Sequence, residues 1–178
     1  EVPAYWQEAA DFMNTLDTRV LLYPPASFAR QDWGWTRDEP AQPLLTVPWA
    51  VRDAVPLVPP ESIRGLDGAM AQIARNPDSA PAVLQRLGIG AVAVRHDLLS
   101  APSAHIPGEV HRFGEVDVVV FDPELSMNLA PADPARVAGG GESLALLHGP
   151  HELVSADADI VTDTPALRDR NYGTLSGP

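Results

Sequence analysis

The chain has 178 residues, with 24 acidic side chains against 12 basic ones, a formal net charge of -12 and no cysteine. That balance argues against nucleic acid or an anionic membrane surface as a main partner, since both need a basic footprint. Without cysteine there can be no disulfide, zinc-thiolate site or thiol nucleophile. The length suits one compact domain, 1–178, with a sub-boundary expected near residues 100–109. No apolar run approaches the roughly 20 residues that span a bilayer, and residues 1–14 lack the basic start and apolar middle of a signal peptide. The chain starts without methionine and ends in Ser176, Gly177 and Pro178, and is expected to be a segment of a longer one.

In chain order, Pro3 suits a helix start, and Tyr5, Ala9, Phe12, Met13 and Leu16 recur at helical spacing over Ala4 to Leu16. Thr18 to Tyr23 is a short apolar run stopped by Pro24 and Pro25, the pattern of a buried strand. From Ala26 to Pro60 prolines recur, removing amide donors and forbidding a long helix or a central strand. This Pro/Trp-rich stretch is expected to be a long ordered loop, and such loops are usually functional.

Helical spacing returns over Glu61 to Arg75, and a second short helix, Ala80 to Leu87, ends at Gly88, suited to a left-handed cap. Ala91 to Arg95 is apolar throughout, the mark of a central parallel strand covered on both faces. Val110 to Phe113 and Asp117 to Phe121 flank Gly114 and Glu115 as a hairpin. Further expectations are strands at Ala135 to Ala138, Glu152 to Ser155 and Ile160 to Thr162, and helices at Glu142 to Leu147 and Ala166 to Arg170. Strands alternating with helices give an α/β fold: a mixed, mostly parallel sheet flanked by helices, with the long Pro/Trp-rich loop.

Asp32 to Leu57 concentrates chemistry, holding three of the four tryptophans. Sugars are bound by an aromatic face against the C–H side of the ring while planar polar groups take pairs of hydroxyls. Trp33, Trp35 and Trp49 stand beside Asp32, Arg37, Asp38, Glu39, Gln42, Arg52 and Asp53. The competing reading is that the tryptophans pack the loop onto the core and the charges pair to hold it. Asp38 and Glu39 are two carboxylates, as glycosidases use, but adjacent loop residues rarely point together.

Gly139 to Gly141 before Ser143 fits neither nucleotide fingerprint nor a nucleophile elbow. Asp157, Asp159 and Asp163 lack EF-hand spacing. His96 with Asp97 follows a strand end, where open sheets often place ligands, and His148 with His151 brackets a Gly-Pro turn. Surface or capping roles are expected for both sets, and no metal site is expected among them.

Taken together, VPAYWQEAADF, WGWTRDEPAQ, PWAVRDAVPLVPPESIRGLD, LGIGAVAVRHDL, HRFG, VAGGGESL and VTDTPALRDRNYG resemble, in order and over nearly the whole chain, the extracytoplasmic portion of the large actinobacterial α-(1->3)-arabinofuranosyltransferases. The resemblance implies a polytopic cell-membrane glycosyltransferase that uses a decaprenyl-phosphate-linked arabinofuranose donor to extend the arabinan of arabinogalactan and lipoarabinomannan. It places this segment on the outer, periplasmic face. The catalytic carboxylate is then expected in the membrane domain, so none of the residues here is catalytic. No cofactor is implied beyond the lipid-linked donor, and a divalent metal is left open. The implied partners are the arabinan polysaccharide acceptor, the polyprenyl-phosphate sugar donor and the membrane domain of the same chain. Asp32, Trp33, Trp35, Arg37, Asp38, Glu39, Trp49, Arg52 and Asp53 would contact the acceptor or dock onto that domain. The alternatives are a stand-alone carbohydrate-binding module and a small hydrolase using Asp38, Glu39 or Ser143.

Overall fold

Ten residues near the start, Ala4–Met13, form helix α1, whose Trp6, Ala9, Ala10 and Met13 are fully buried. Their spacing of three and four places them on one stripe, which covers a sheet. The computed structural model describes residues 1–25, 30–52, 60–99, 105–122, 135–138 and 159–162, the last two stretches and residues 60–62 as backbone only. Contacts divide the chain into two units, one of Glu1–Pro56 and Gly88–Pro123, the other of Leu57–Leu87 and Glu124–Pro178.

The first unit holds α1 and a five-stranded sheet. Its strands are β1 (Arg19–Tyr23), β4 (Trp49–Ala50), β5 (Ile89–Arg95), β6 (Glu109–Phe113) and β7 (Val116–Val120), in the order β4-β1-β5-β7-β6. β1 runs parallel to both β4 and β5, while β5 pairs antiparallel with β7, and β7 with β6. The sheet is therefore mixed, parallel around β1 and antiparallel through the hairpin. β5 is buried along its whole length, as its unbroken apolar run implies.

One face of the sheet meets α1. Val20 and Leu22, Ala91 and Ala93, and Val116 and Val118 share a cluster with Trp6, Ala9, Ala10 and Met13. Each strand contributes alternate residues, as the two-residue period of a strand requires. Trp6, in the first turn of α1, shares this cluster with the small Ala91 and Ala93 of the central strand. The hairpin turn also touches α1: Gly114 has φ +54, and a Cβ there would stand 2.8 Å from the Tyr5 side chain. Glycine is needed at that turn for its backbone and for its lack of bulk.

The described part of the proline-rich stretch, residues 30–52, is pinned to the rest of the first unit. Among the described residues it forms only two-residue strands: β2 (Arg30–Gln31) paired with β3 (Gly34–Trp35), and β4 at the sheet edge. Prolines allow an edge position where a central one would lose ladder bonds. Asn14, at the end of α1, donates from Nδ2 to the Leu44 carbonyl and accepts from the amides of Thr46 and Val47, clamping residues 44–47.

In the second unit, α2 (Pro60–Arg75) and α3 (Ala80–Arg86) pack on each other, burying Ala69, Ile73, Val83 and Leu84. α3 ends before Gly88, whose φ of +72 is the expected left-handed cap. β8 (Ala135–Ala138) and β9 (Asp159–Thr162) form a parallel pair. The helices expected at 142–147 and 166–170, the strand at 152–155, the Gly139 to Gly141 turn, Ser143, His148, His151, Asp157 and Asp163 lie outside the described residues. So does part of the sub-boundary expected near 100–109.

Candidate functional site

β1 lies between β4 and β5, so the chain leaves β1 toward one edge and later returns to its other side. Open α/β sheets place their polar centres at the carboxyl ends of such strands. Here Arg95 closes β5, and Asp97 follows two residues later on the same side of the chain.

Asp97 is fully buried and is the focus of three aromatic donors. Its Oδ2 accepts from the Tyr5 hydroxyl at 3.0 Å, Trp6 Nε1 at 2.8 Å and Trp33 Nε1 at 2.7 Å. Its main-chain carbonyl accepts from the Asp32 amide at 2.8 Å. One carboxylate thus ties α1, the end of β5 and the start of the tryptophan loop together. A surface or capping role is what the sequence implies for His96 and Asp97. His96 fits, being exposed and 3.2 Å from Asp117. Asp97 does not, because three buried or half-buried donors converge on it. The signal in the sequence was the number of aromatic N–H and O–H groups needing an acceptor, which residue spacing alone does not locate.

Arg95 is equally buried. Its guanidinium donates to Glu39 Oε2 at 2.5 Å and to the Pro24 carbonyl at 2.5 Å, joining the loop to the end of β1. Burial lowers its pKa, an effect that the charges of Glu39 and Asp97 oppose. Charge-assisted bonds of this kind hold irregular backbone where no ladder can.

The candidate residues separate by direction. Trp33 turns inward to Asp97, and Trp49, in β4, packs against the core cluster with Val47 and Val51. Glu39 is taken by Arg95. Arg52 is half-buried, and Asp53 lies outside the described residues. Asp32, Trp35, Arg37 and Asp38 face solvent. Trp35 is 59% exposed, with the Arg37 guanidinium 5.1 Å and that of Arg30 5.6 Å from its ring centroid. Arg37 has φ +66, an unfavourable conformation for a residue with a Cβ. The Thr36 hydroxyl, donating to the Asp38 carbonyl at 2.6 Å, supports the turn.

Tyr5 carries a pH signature. Its pKa is raised well above 10 by burial first, and then by the Asp97 charge and hydrogen bond. Burial raises Tyr23 as well. The folded state thus holds these protons where the unfolded chain releases them, so stability is full below about pH 10 and falls as pH rises past it. Tyr5→Phe is expected to flatten that alkaline fall, read as urea midpoints from pH 8 to 11.

Three aromatic donors meet at Asp97 Oδ2 while Oδ1 is buried without a hydrogen-bond partner, Glu39 is occupied by Arg95, and no group of three or more metal-ligating side chains occurs among the described residues. Among the described residues, Trp35 and the two arginines near its ring form an exposed aromatic and cationic surface. The class so defined is an α/β domain whose buried aromatic-carboxylate knot holds a loop that exposes Trp35.

Residues 1–115 match the family described as alpha-(1->3)-arabinofuranosyltransferase, N-terminal GT-C domain. The chain belongs to that family. It is 35% identical to the alpha-(1->3)-arabinofuranosyltransferase of Mycobacterium tuberculosis and 44% identical to that of Mycolicibacterium smegmatis, in each case over 98% of this chain. It spans only 17% of the length of either relative. In structure it resembles arabinofuranosyltransferase AftD from mycobacteria, with a TM-score of 0.65 and 28% identity over 89% of this chain and 15% of that one. The α/β fold expected from the sequence agrees with this likeness. No helix among the described residues is long and apolar enough to cross a membrane.

Proposed function

We propose that this chain is a non-catalytic, extracytoplasmic part of a polytopic arabinofuranosyltransferase. The whole enzyme would transfer arabinofuranose from a decaprenyl-phosphate donor onto cell-wall arabinan, with its catalytic carboxylate in another part of the protein. Within this chain, the surface of Trp35, Arg37, Asp32 and Asp38 contacts the arabinan acceptor. Family membership supports the activity. The observation that carries the assignment of the surface is Trp35, 59% exposed on a loop that the buried Asp97 and Arg95 hold in place.

A furanose ring presents C–H groups to an indole and hydroxyl pairs to guanidinium and carboxylate groups. The backbone of Arg37 supports the same assignment, since strained residues persist where the side chain is needed. Titrating the protein with arabinan oligosaccharides while following tryptophan emission tests it. Trp35→Ala is expected to abolish the response or weaken it about tenfold, the equivalent of ~1.4 kcal/mol. Arg37→Gly is expected to weaken it too while keeping or raising stability, because glycine adopts φ +66 without a Cβ penalty. An unchanged response in both variants would return the loop to packing alone.

A further inference from the structure

Three short segments lay their side chains in one exposed row. β2 and β3 pair antiparallel with Arg30 opposite Trp35. On the other edge of β2, Gln31 bridges Leu98 in the antiparallel sense, and the Leu99 amide donates to the Arg30 carbonyl at 3.5 Å, which sets Leu99 across from Arg30. Residues opposite one another in antiparallel strands share a face, so Trp35, Arg30 and Leu99 stand side by side. The reverse face carries Gln31, 2% exposed, and the half-buried Leu98. At 59% and 63%, Trp35 and Leu99 are the two most exposed large hydrophobics among the described residues. Among the described residues neither Arg30 nor Arg37 has a carboxylate in ion-pair reach, and both lie over the Trp35 ring.

An exposed leucine tip adds nothing to hydroxyl recognition. Together with an indole and two guanidinium groups that face no carboxylate among the described residues, it has the makings of an interfacial contact, in which the indole lies at headgroup level, the aliphatic tip reaches the acyl boundary and arginines meet phosphates. We propose that the Trp35–Arg30–Leu99 row, with Arg37, rests on the phospholipid headgroup layer of a bilayer. This builds on the reading of the Trp35 surface as the contact surface of the chain and gives it a second partner beside the acceptor.

The net charge of -12 opposes attraction through bulk charge. At physiological ionic strength, however, groups more than about 8 Å away are largely screened. Beside the row the exposed Asp32 and Asp38 balance the two arginines, so Trp35 and Leu99 carry the contact and the arginines add local phosphate bonds rather than net charge. The contact is weak by itself and gains strength when the chain is tethered near the surface.

Co-sedimentation of the protein with phosphatidylglycerol/phosphatidylcholine vesicles, beside an arabinan titration of the same samples, tests the proposal. Wild type is expected to sediment with the vesicles. Arg30→Gln and Leu99→Ser should each reduce the bound fraction about fivefold, on the scale of one lipid-facing arginine, and Leu99→Ser, which lies outside the Trp35–arginine surface, should leave the arabinan response intact. Trp35→Ala should lose both, and far-UV circular dichroism checks that every variant is folded. Absence of co-sedimentation by wild type at millimolar lipid, or binding indifferent to Arg30→Gln and Leu99→Ser, would overturn the proposal and leave the acceptor reading standing. Vesicle binding without any arabinan response would uphold it and sink the acceptor reading.

Discussion

Asp97→Ala is expected to lower the free energy of unfolding by about 3–5 kcal/mol, enough to unfold a domain of ordinary stability. The substitution removes the acceptor shared by Tyr5, Trp6 and Trp33. Trp6 is fully buried, so its indole N–H cannot turn to water for a replacement. Each polar group left without a partner costs about 1–3 kcal/mol. Asp97→Asn can keep an oxygen where the three donors meet, with its NH2 at the unpartnered Oδ1 position, and is expected to cost about half as much, because the charge that strengthens these bonds is lost. Urea unfolding followed by tryptophan emission reads both the loss and the changed surroundings of Trp6 and Trp33. A change below about 1 kcal/mol in Asp97→Ala would mean that the carboxylate does not organise these donors.

Arg95 gives the second large effect, and its pattern is more diagnostic than its size. Truncating one partner of a buried pair leaves the other charge uncompensated and costs about 3–5 kcal/mol. Arg95→Met and Glu39→Gln are therefore expected to be strongly destabilising singly. Arg95→Met should be the worse of the two, because Arg95 is fully enclosed and also serves the Pro24 carbonyl, whereas the Glu39 side chain is 13% exposed. Combining the two should cost clearly less than the sum of the single losses, because residues in one network couple by about 0.5–3 kcal/mol. Additive losses in the double-mutant cycle would show that the two groups act independently.

Much of the fold was legible because it rests on local periodicity. α1, β1, α2, α3, β5 and the hairpin fall where apolar spacing, prolines and glycines place them, within a few residues at each end. The tryptophan loop was legible as a concentration of chemistry, but not in its directions. Trp33 and Trp35 are two residues apart, yet one binds a buried carboxylate while the other faces solvent. That division is decided by Asp97, 64 residues beyond Trp33 in the chain. Trp6 is not among the residues whose spacing marks the expected helix, and its N–H partner lies 91 residues away. Leu99 carried no signal of its own, since its place beside Arg30 follows from strand register. Contacts of this kind are set by the sheet order, which places β1 beside both β4 and β5 and which no spacing rule encodes.

The claim that organises the molecule is that Asp97 and Arg95 hold a loop whose exposed face, centred on Trp35, serves recognition while the reaction is carried out by another part of the enzyme. Arabinan synthesis by the full-length arabinofuranosyltransferase carrying Trp35→Ala, with folding verified by circular dichroism, tests it most directly. Synthesis is expected to fall about tenfold at limiting acceptor and to recover as acceptor is raised, since a lost contact to the acceptor weakens binding and leaves the chemical step intact. Unchanged synthesis at every acceptor concentration would contradict a recognition role. A loss that saturating acceptor cannot restore would place Trp35 in the chemistry itself.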